Sequence, residues 1–367
     1  MNAPQLTDAD VAAAVEVLSS GILAGPDHPA VQRFETSLAG QSRVPHAVAV
    51  NSGTAALHCI LRALRIGPGD EVIVPAHTFI ATATPVLMVG ATPVVVDIDA
   101  STYCIDPAAV DTARSTRTKA VVAVHINGHP APVDQLPADL PIISDACQAH
   151  GATLFATPVG ALGRAAAFSF WQDKLITAAG EGGAVLTADE EIARHVRLLR
   201  SHAQEQIDGG PDAHHVALGY NYRLTGVQAA VGRSQLARLP SLVRRRRAIA
   251  ERLTRGLADT AGLAAPAVRS GAEHAFWKYV VSISPGQIGG GRGELRRLLG
   301  AAGVATAPRY PIPLTRQPVL SGSARIMPCP VAESLADRLL TLPIPATEQQ
   351  ADRLCEAVRG AVQAARR

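Results

Sequence analysis

Short apolar runs rich in Val, Ile and Ala recur between residues 46 and 187. They read HAVAV (46–50), EVIVP (71–75), TPVVVDI (92–98), KAVVAVHI (119–126), LPIISDA (140–146), AAFSF (166–170) and GAVLT (183–187). Between them lie helical patterns such as AALHCILRAL, which follows NSGT. Runs that are apolar on both faces and alternate with helices predict an α/β fold. Its central sheet is mostly parallel and flanked by helices. One connection breaks the rhythm. INGHPAPVDQLPADL, between His125 and Pro141, is short and proline-rich, so it predicts a loop or a single turn rather than a crossover helix.

Ahead of the sheet, Thr7 and Asp10 fit a capping box for a helix ending near Gly21. GPDHPAVQRFETSLAG predicts a second helix with Phe34 and Leu38 on one face. After Gly219 the pattern lengthens. YNYRLTGVQAAVGRSQLARL and SLVRRRRAIAERLTRGL are helical, AFWKYVVSIS reads as a strand, ELRRLLGAAG as a helix, and PATEQQADRLCEAVRGAVQAA as a final helix. The expected division is a large domain over 1–239, with the N-terminal helices, and a smaller C-terminal α+β domain over 240–367. The join falls near Leu239-Pro240.

Composition narrows the function. With 47% hydrophobic residues but only 4% aromatics, the core is built from Ala, Val, Leu and Ile. A net charge of +3 with scattered arginines argues against nucleic acid as a partner, and the run Arg244–Arg247 is expected on the solvated face of a helix. Five cysteines without paired spacing or histidine partners predict reduced thiols and no metal site. Neither a signal-peptide pattern nor a membrane-length apolar run is present, so a cytoplasmic protein is expected.

Of 34 basic residues only Lys119, Lys174 and Lys278 are lysine. Lys174 lies between two apolar runs in AFSFWQDKLITAAGEGGAVL. There it is either a strand-end cap or an amine kept because it can lose its proton and attack a carbonyl, which a guanidinium cannot do. The NSGT turn (51–54) is either an ordinary helix cap or a cradle for an anion at the positive end of a helix. Asp145 closes the run PIIS, either as a ligand group at a strand's carboxyl end or as the cap of the next helix. Taken together, Ser52-Gly53-Thr54 and Ser169 for a phosphate, Asp145 for a ring nitrogen and Lys174 for a carbonyl match the needs of pyridoxal phosphate. Phe79 is placed to stack on its ring. His77 and His125 are expected to be hydrogen-bonded structural histidines.

In the blocks GPDHPAVQRFE, NSGTAAL, GDEVIVPAHTFIATA, GATPVVVDID, DACQAHGA, FSFWQDKLITAAGEGGAV, GYNYRLTGVQAA, RYPIPL and CPVAESLADRLLTLPIP the chain resembles the DegT/DnrJ/EryC1/StrS sugar aminotransferases, which are pyridoxal-phosphate enzymes of fold type I. The resemblance implies that Lys174 is the Schiff-base lysine and proton shuttle. It also implies that Asp145 pairs with the pyridine nitrogen and that Gln148 bonds the phenolic oxygen. Gly53, Thr54 and Ser169 would hold the phosphate, Phe79 the ring, and Asn221 the phosphate of a neighbouring subunit in a homodimer. Relatives that act as dehydratases carry histidine at the lysine position, so Lys174 points to amino transfer. The implied reaction takes nitrogen from glutamate or glutamine to a keto sugar, with a ketocyclitol as the alternative acceptor. Thr315 stands where the family often has histidine and Cys147 where alanine is common. Arg223, Arg309 and Arg316 are candidates for a diphosphate.

Overall fold

The computed structural model describes residues 6–207 and 213–366. The seven apolar runs form β1 (His46–Val50), β2 (Glu71–Pro75), β3 (Thr92–Val96), β4 (Thr118–Val124), β5 (Ile142–Asp145), β6 (Ala165–Ser169) and β7 (Gly183–Thr187). They lie in one eight-stranded sheet of order β1-β7-β6-β5-β4-β2-β3, with Arg325–Ile326 added beyond β3. Only β7 runs antiparallel to its neighbours. Every residue of β2, β5, β6 and β7 is buried, as strands covered on both faces require.

Helix α1 (Asp8–Ser20) starts as expected: the Asp10 carboxylate accepts the Thr7 N–H at 2.8 Å, and Gly21 closes the helix at φ 71°. Helix α2 (Pro29–Ser42) buries Phe34 and Leu38 against the sheet. Helix α3 (Gly53–Ala63) follows β1 directly, with the Ser52 hydroxyl capping the Ala55 N–H. The proline-rich connection after β4 contains two single 3-10 turns, Ile126–Gly128 and Val133–Gln135.

The two helical patterns after Gly219 form one helix, α4 (Gly226–Leu257), with Pro240 inside it. Along α4 the core changes. Leu236, Leu239 and Val243 pack in the large-sheet cluster, whereas Ile249, Leu253 and Leu257 pack in the cluster of a four-stranded antiparallel sheet that includes Tyr279–Ile283 and Leu339–Leu342. The handover falls a few residues beyond Pro240. The C-terminal part also returns to the large sheet, where the Asp97 carboxylate caps the helix Pro330–Ala336 through the Val331 and Ala332 N–H groups.

The arginine run corrects one expectation in part. Arg244 and Arg245 are exposed, as expected, but Arg246 and Arg247 are half-buried and dock on backbone, and Arg245 reaches a backbone carbonyl too. Arg245 donates to the Ala346 carbonyl, Arg246 to those of Phe276 (2.7 Å) and Trp277 (2.8 Å), and Arg247 to that of His274 (2.9 Å). Guanidinium forks meet carbonyls that the small-domain segment leaves without strand partners. Among the described residues no helix is long and apolar enough to cross a membrane.

Candidate active site

Parallel strands deliver their carboxyl ends to one edge, and the chemistry collects there. β5 ends at Asp145 and β6 at Ser169, and the β1–α3 turn carries Ser52 and Gly53 to the same edge. A Cβ built on Gly53 would sit 2.7 Å from the Cys147 sulfur and 2.8 Å from the Ser169 Cβ. Glycine therefore lets the start of α3 close onto both strand ends. Apart from the Ala55 N–H, which Ser52 caps, the first amides of α3 have no carbonyl one turn earlier to bond, an arrangement that suits an anion.

Asp145 is buried and held from two sides. The Thr82 hydroxyl donates to its Oδ2 at 2.8 Å, with the Thr78 hydroxyl 2.9 Å from that of Thr82, and the Cys147 N–H reaches its Oδ1 at 3.3 Å. Asp145 is thus oriented by the β2 loop rather than serving as a helix cap. Burial and the neighbouring Asp145 push the Cys147 thiol well up, so it stays protonated.

Lys174 follows a turn in which its own N–H bonds the Trp171 carbonyl at 2.9 Å. Its amine makes no hydrogen bond or ion pair among the described residues and lies 4.2 Å from the centroid of the Trp277 ring. Burial brings the amine down to about 8, helped by Arg309 and Lys278 and resisted by Cys147 and Asp145. An amine so placed is a nucleophile and a proton carrier near neutral pH.

The opposite wall comes mainly from the chain that follows α4. The Trp277 indole donates to the Asp173 carbonyl at 2.6 Å, and Lys278 pairs with the Asp173 carboxylate at 2.9 Å. Gln148 Oε1 accepts from the Asn127 N–H (2.9 Å) and from Arg309 (2.8 Å), while its amide donates to the Tyr310 hydroxyl at 3.0 Å. The irregular loop after β4 makes this junction. Asn127 sits at φ 57°, and Gly128 (φ 104°) approaches so closely that a Cβ there would lie 2.9 Å from the backbone nitrogens of both Phe276 and Trp277.

The structure thus brings Lys174, Asp145, Gln148, Ser169, Gly53 and Thr54 to one crevice. Phe79, on the β2 loop, is exposed. Asn221 is exposed as well, and its carbonyl accepts from Asn51 beside the α3 turn. One expectation needs correction. His77 is fully buried yet neither ring nitrogen has a hydrogen-bond partner among the described residues; it packs edge-on to Tyr310 at 5.2 Å, and burial lowers it to about 3. His125 is hydrogen-bonded as expected: its Nδ1 accepts the Ala131 N–H, while its Nε2 has no partner among the described residues. Of the candidate arginines, Arg316 is committed to Glu333, as is Thr315. Arg309 alone joins the Gln148 cluster. Asn127, Trp277, Lys278, Tyr310, Asp173 and Thr82 escaped sequence reasoning, although the scarcity of lysine was a signal for Lys278.

Residues 4–359 match the DegT/DnrJ/EryC1/StrS aminotransferase family. A UDP-N-acetyl-3-dehydro-α-D-glucosamine 3-aminotransferase of Acidithiobacillus ferrooxidans is 41% identical, over 85% of this chain and 82% of its own. A dTDP-3-amino-3,4,6-trideoxy-α-D-glucose transaminase of Streptomyces venezuelae is 41% identical, over 92% and 86%. The crystal structure of S. venezuelae DesV in complex with a ketimine intermediate superposes with a TM-score of 0.89 at 39% identity, over 96% of this chain and 94% of that one.

Proposed function

The chain belongs to the DegT/DnrJ/EryC1/StrS family of pyridoxal-phosphate-dependent aminotransferases, and from that premise we propose that it moves nitrogen from glutamate or glutamine to carbon 3 of a nucleotide-linked keto sugar. The observation that carries the reading is Lys174: an amine without a hydrogen-bond partner, lowered to about 8, in the crevice that also holds Asp145. Carbon 3 is favoured because both relatives at 41% identity carry their chemistry there in name.

The residues fit pyridoxal phosphate. The unbonded amides at the start of α3, with Thr54 and the Ser169 hydroxyl, would take the phosphate. Asp145, fixed by Thr82 and Cys147, would hold the ring nitrogen, Gln148 the phenolic oxygen, and Phe79 a ring face. The bound cofactor supplies the carbonyl that captures the amine and the ring that draws electrons from the substrate carbon. Lys174 Nζ takes the proton from the donor's α-carbon and returns it on the far side of the transfer, then runs the same relay in reverse on the keto sugar. Asp145 would favour the protonated form of the ring nitrogen it holds. Trp277 shields the amine from water, which preserves its low proton affinity.

Two copies completing each other's sites, with Asn221 reaching across to the other's phosphate, accord with the exposure of Asn221 beside the α3 turn, where its carbonyl accepts from Asn51. The free cysteines accord with a reducing, cytoplasmic setting.

The test uses ¹⁵N-labelled glutamate and glutamine with a panel of 3-keto and 4-keto nucleotide sugars and ketocyclitols, and reads label by mass spectrometry. Labelled 3-amino sugar is expected. Label found only in an aminocyclitol, or in no product at all, overturns the reading. Sedimentation of the same preparation as an active monomer overturns the shared site.

A further inference from the structure

Lys174, Asp145 and the α3 turn account for the cofactor and the proton relay, and they leave a cation over. Arg309 lies half-buried against Trp277 and Tyr310, 4.7 and 4.0 Å from their ring centroids. Its bonds all go to neutral acceptors: Nε to Asn127 Oδ1 at 2.6 Å, and Nη2 to Gln148 Oε1 at 2.8 Å and the Tyr310 hydroxyl at 2.9 Å. Nη1 makes no hydrogen bond among the described residues, and none of their carboxylates pairs with this guanidinium. The nearby acid, Asp173, is taken by Lys278. Neutral oxygens repay only part of the hydration a guanidinium gives up, whereas an anion repays more. Three bonds fix the fork in orientation and leave one edge of it for a ligand.

Position decides which anion. The Lys174 amine and the Arg309 guanidinium stand over the same Trp277 ring, at 4.2 and 4.7 Å from its centroid. Lys174 handles the proton on the reacting carbon. In an α-amino acid the carboxylate is one bond from that carbon. In a nucleotide sugar the diphosphate hangs from the anomeric carbon, two ring carbons from a ketone at carbon 3 and farther still through its bridging oxygen. A cation adjacent to the lysine matches the short arm. The planar guanidinium fork also matches a planar carboxylate.

We propose that Arg309 docks the α-carboxylate of the amino donor, the group that glutamate and glutamine share, while Asn127, Gln148 and Tyr310 orient it. The proposal rests on the aminotransferase reading above. It assigns choice between the two donors to contacts at the far end of their side chains, because Arg309 treats them alike. It also gives the irregular loop after β4 a purpose: Asn127 aims the arginine.

The test compares L-glutamate with its α-amide, isoglutamine, which differs only in lacking the α-carboxylate charge. The donor half-reaction is followed in the reconstituted wild type, Arg309→Gln and Arg309→Lys. Each protein's preference for glutamate over isoglutamine serves as its own reference, so partial loss of cofactor or of folded protein cancels. The wild type should prefer glutamate by about 100-fold or more, Arg309→Gln should fall to within a few-fold, and Arg309→Lys should recover part of the preference. Calorimetric binding of 2-methylglutamate, which has no α-hydrogen to surrender, should weaken by about 100-fold in Arg309→Gln. If Arg309→Gln keeps the wild-type preference and binding, the proposal is wrong. If it weakens only the keto-sugar nucleotide, Arg309 serves the acceptor's diphosphate and the proposal is again wrong. If the wild type takes nitrogen from neither glutamate nor glutamine, the aminotransferase reading fails first and takes this proposal with it.

Discussion

The two walls of the crevice are built by different means. One is the carboxyl edge of the large sheet, where Asp145 and Ser169 end fully buried strands and the α3 turn follows β1. The register of the sheet fixes them: Asp145 lies opposite Ala167 on β6, two residues before Ser169. The other wall, with Trp277, Lys278, Arg309 and Tyr310, is placed by docking. Arg246 grips the carbonyls of Phe276 and Trp277, Asn127 and Gly128 receive the same segment, and Asp173 ties down Lys278. Sheet register is shared by many strands and resists any single change. The docked wall depends on a few contacts at close approach, so it should respond to mutations far from the substrate. On the proposals above, the first wall would carry the chemistry, and the second would dock the donor's α-carboxylate and tune the lysine.

The largest effect should come from the first wall. Lys174→Ala removes the nucleophile and the proton carrier together, and transfer of ¹⁵N should fall by roughly 10⁴-fold or more, with the fold intact by circular dichroism. Residual transfer within tenfold of wild type would mean that the sheet wall does not carry the reaction.

Next comes the junction. Gly128→Ala puts a Cβ 2.9 Å from the nitrogens of Phe276 and Trp277, at a φ of 104° that side chains avoid. Backbone atoms on both sides cannot step aside as a side chain would. A cost of about 2–3 kcal/mol in unfolding free energy is expected, measurable by denaturant titration. Donor efficiency should drop with it, while phosphate anchoring at α3 persists. An Ala variant as stable as wild type would show that the docked wall is adaptable, and the contrast between the walls would disappear.

The same contrast explains what the sequence revealed. β5 and β6 end in Asp145 and Ser169, so these candidates could be read from local pattern; the scarcity of lysine marked Lys174, and the resemblance added Gln148. Nothing local marks Trp277 as a platform or Asn127 as a hinge. Their roles arise from contacts between segments about 150 residues apart, such as the bond from the Lys278 N–H to the Asn127 carbonyl. The arginine run misled in part, at Arg246 and Arg247, for a related reason. Four consecutive arginines look like a solvated face until the partner carbonyls, some 30 residues on, are in view. The merging of two helical patterns through Pro240 is likewise set by packing, because a long helix spanning both cores outweighs the break that proline favours.

The smallest effect tests whether the walls communicate. The attacking form of Lys174 is the neutral amine, and its folded value of about 8 lies below the unfolded value of 10.5. The rate at which cofactor-free protein captures pyridoxal phosphate should therefore rise with pH, roughly fivefold between pH 7 and 8, and level off above about 9. The linked stability has the same sign. From about 8 to 10.5 the unfolded chain binds more protons at this residue than the folded one, so its contribution to unfolding free energy grows with pH across that window and is absent from Lys174→Met. A capture midpoint near 10 would show an ordinary surface lysine. Burial is the first cause of the lowering, and the charges of Arg309 and Lys278 add to it. In Arg309→Gln the midpoint should therefore move up by a fraction of a unit while staying well below 10.5. An unmoved midpoint would leave the docked wall with carboxylate docking alone. An upward shift would mean that the wall assembled by Gly128, Asn127 and Arg246 also sets the proton affinity of the lysine on the other side.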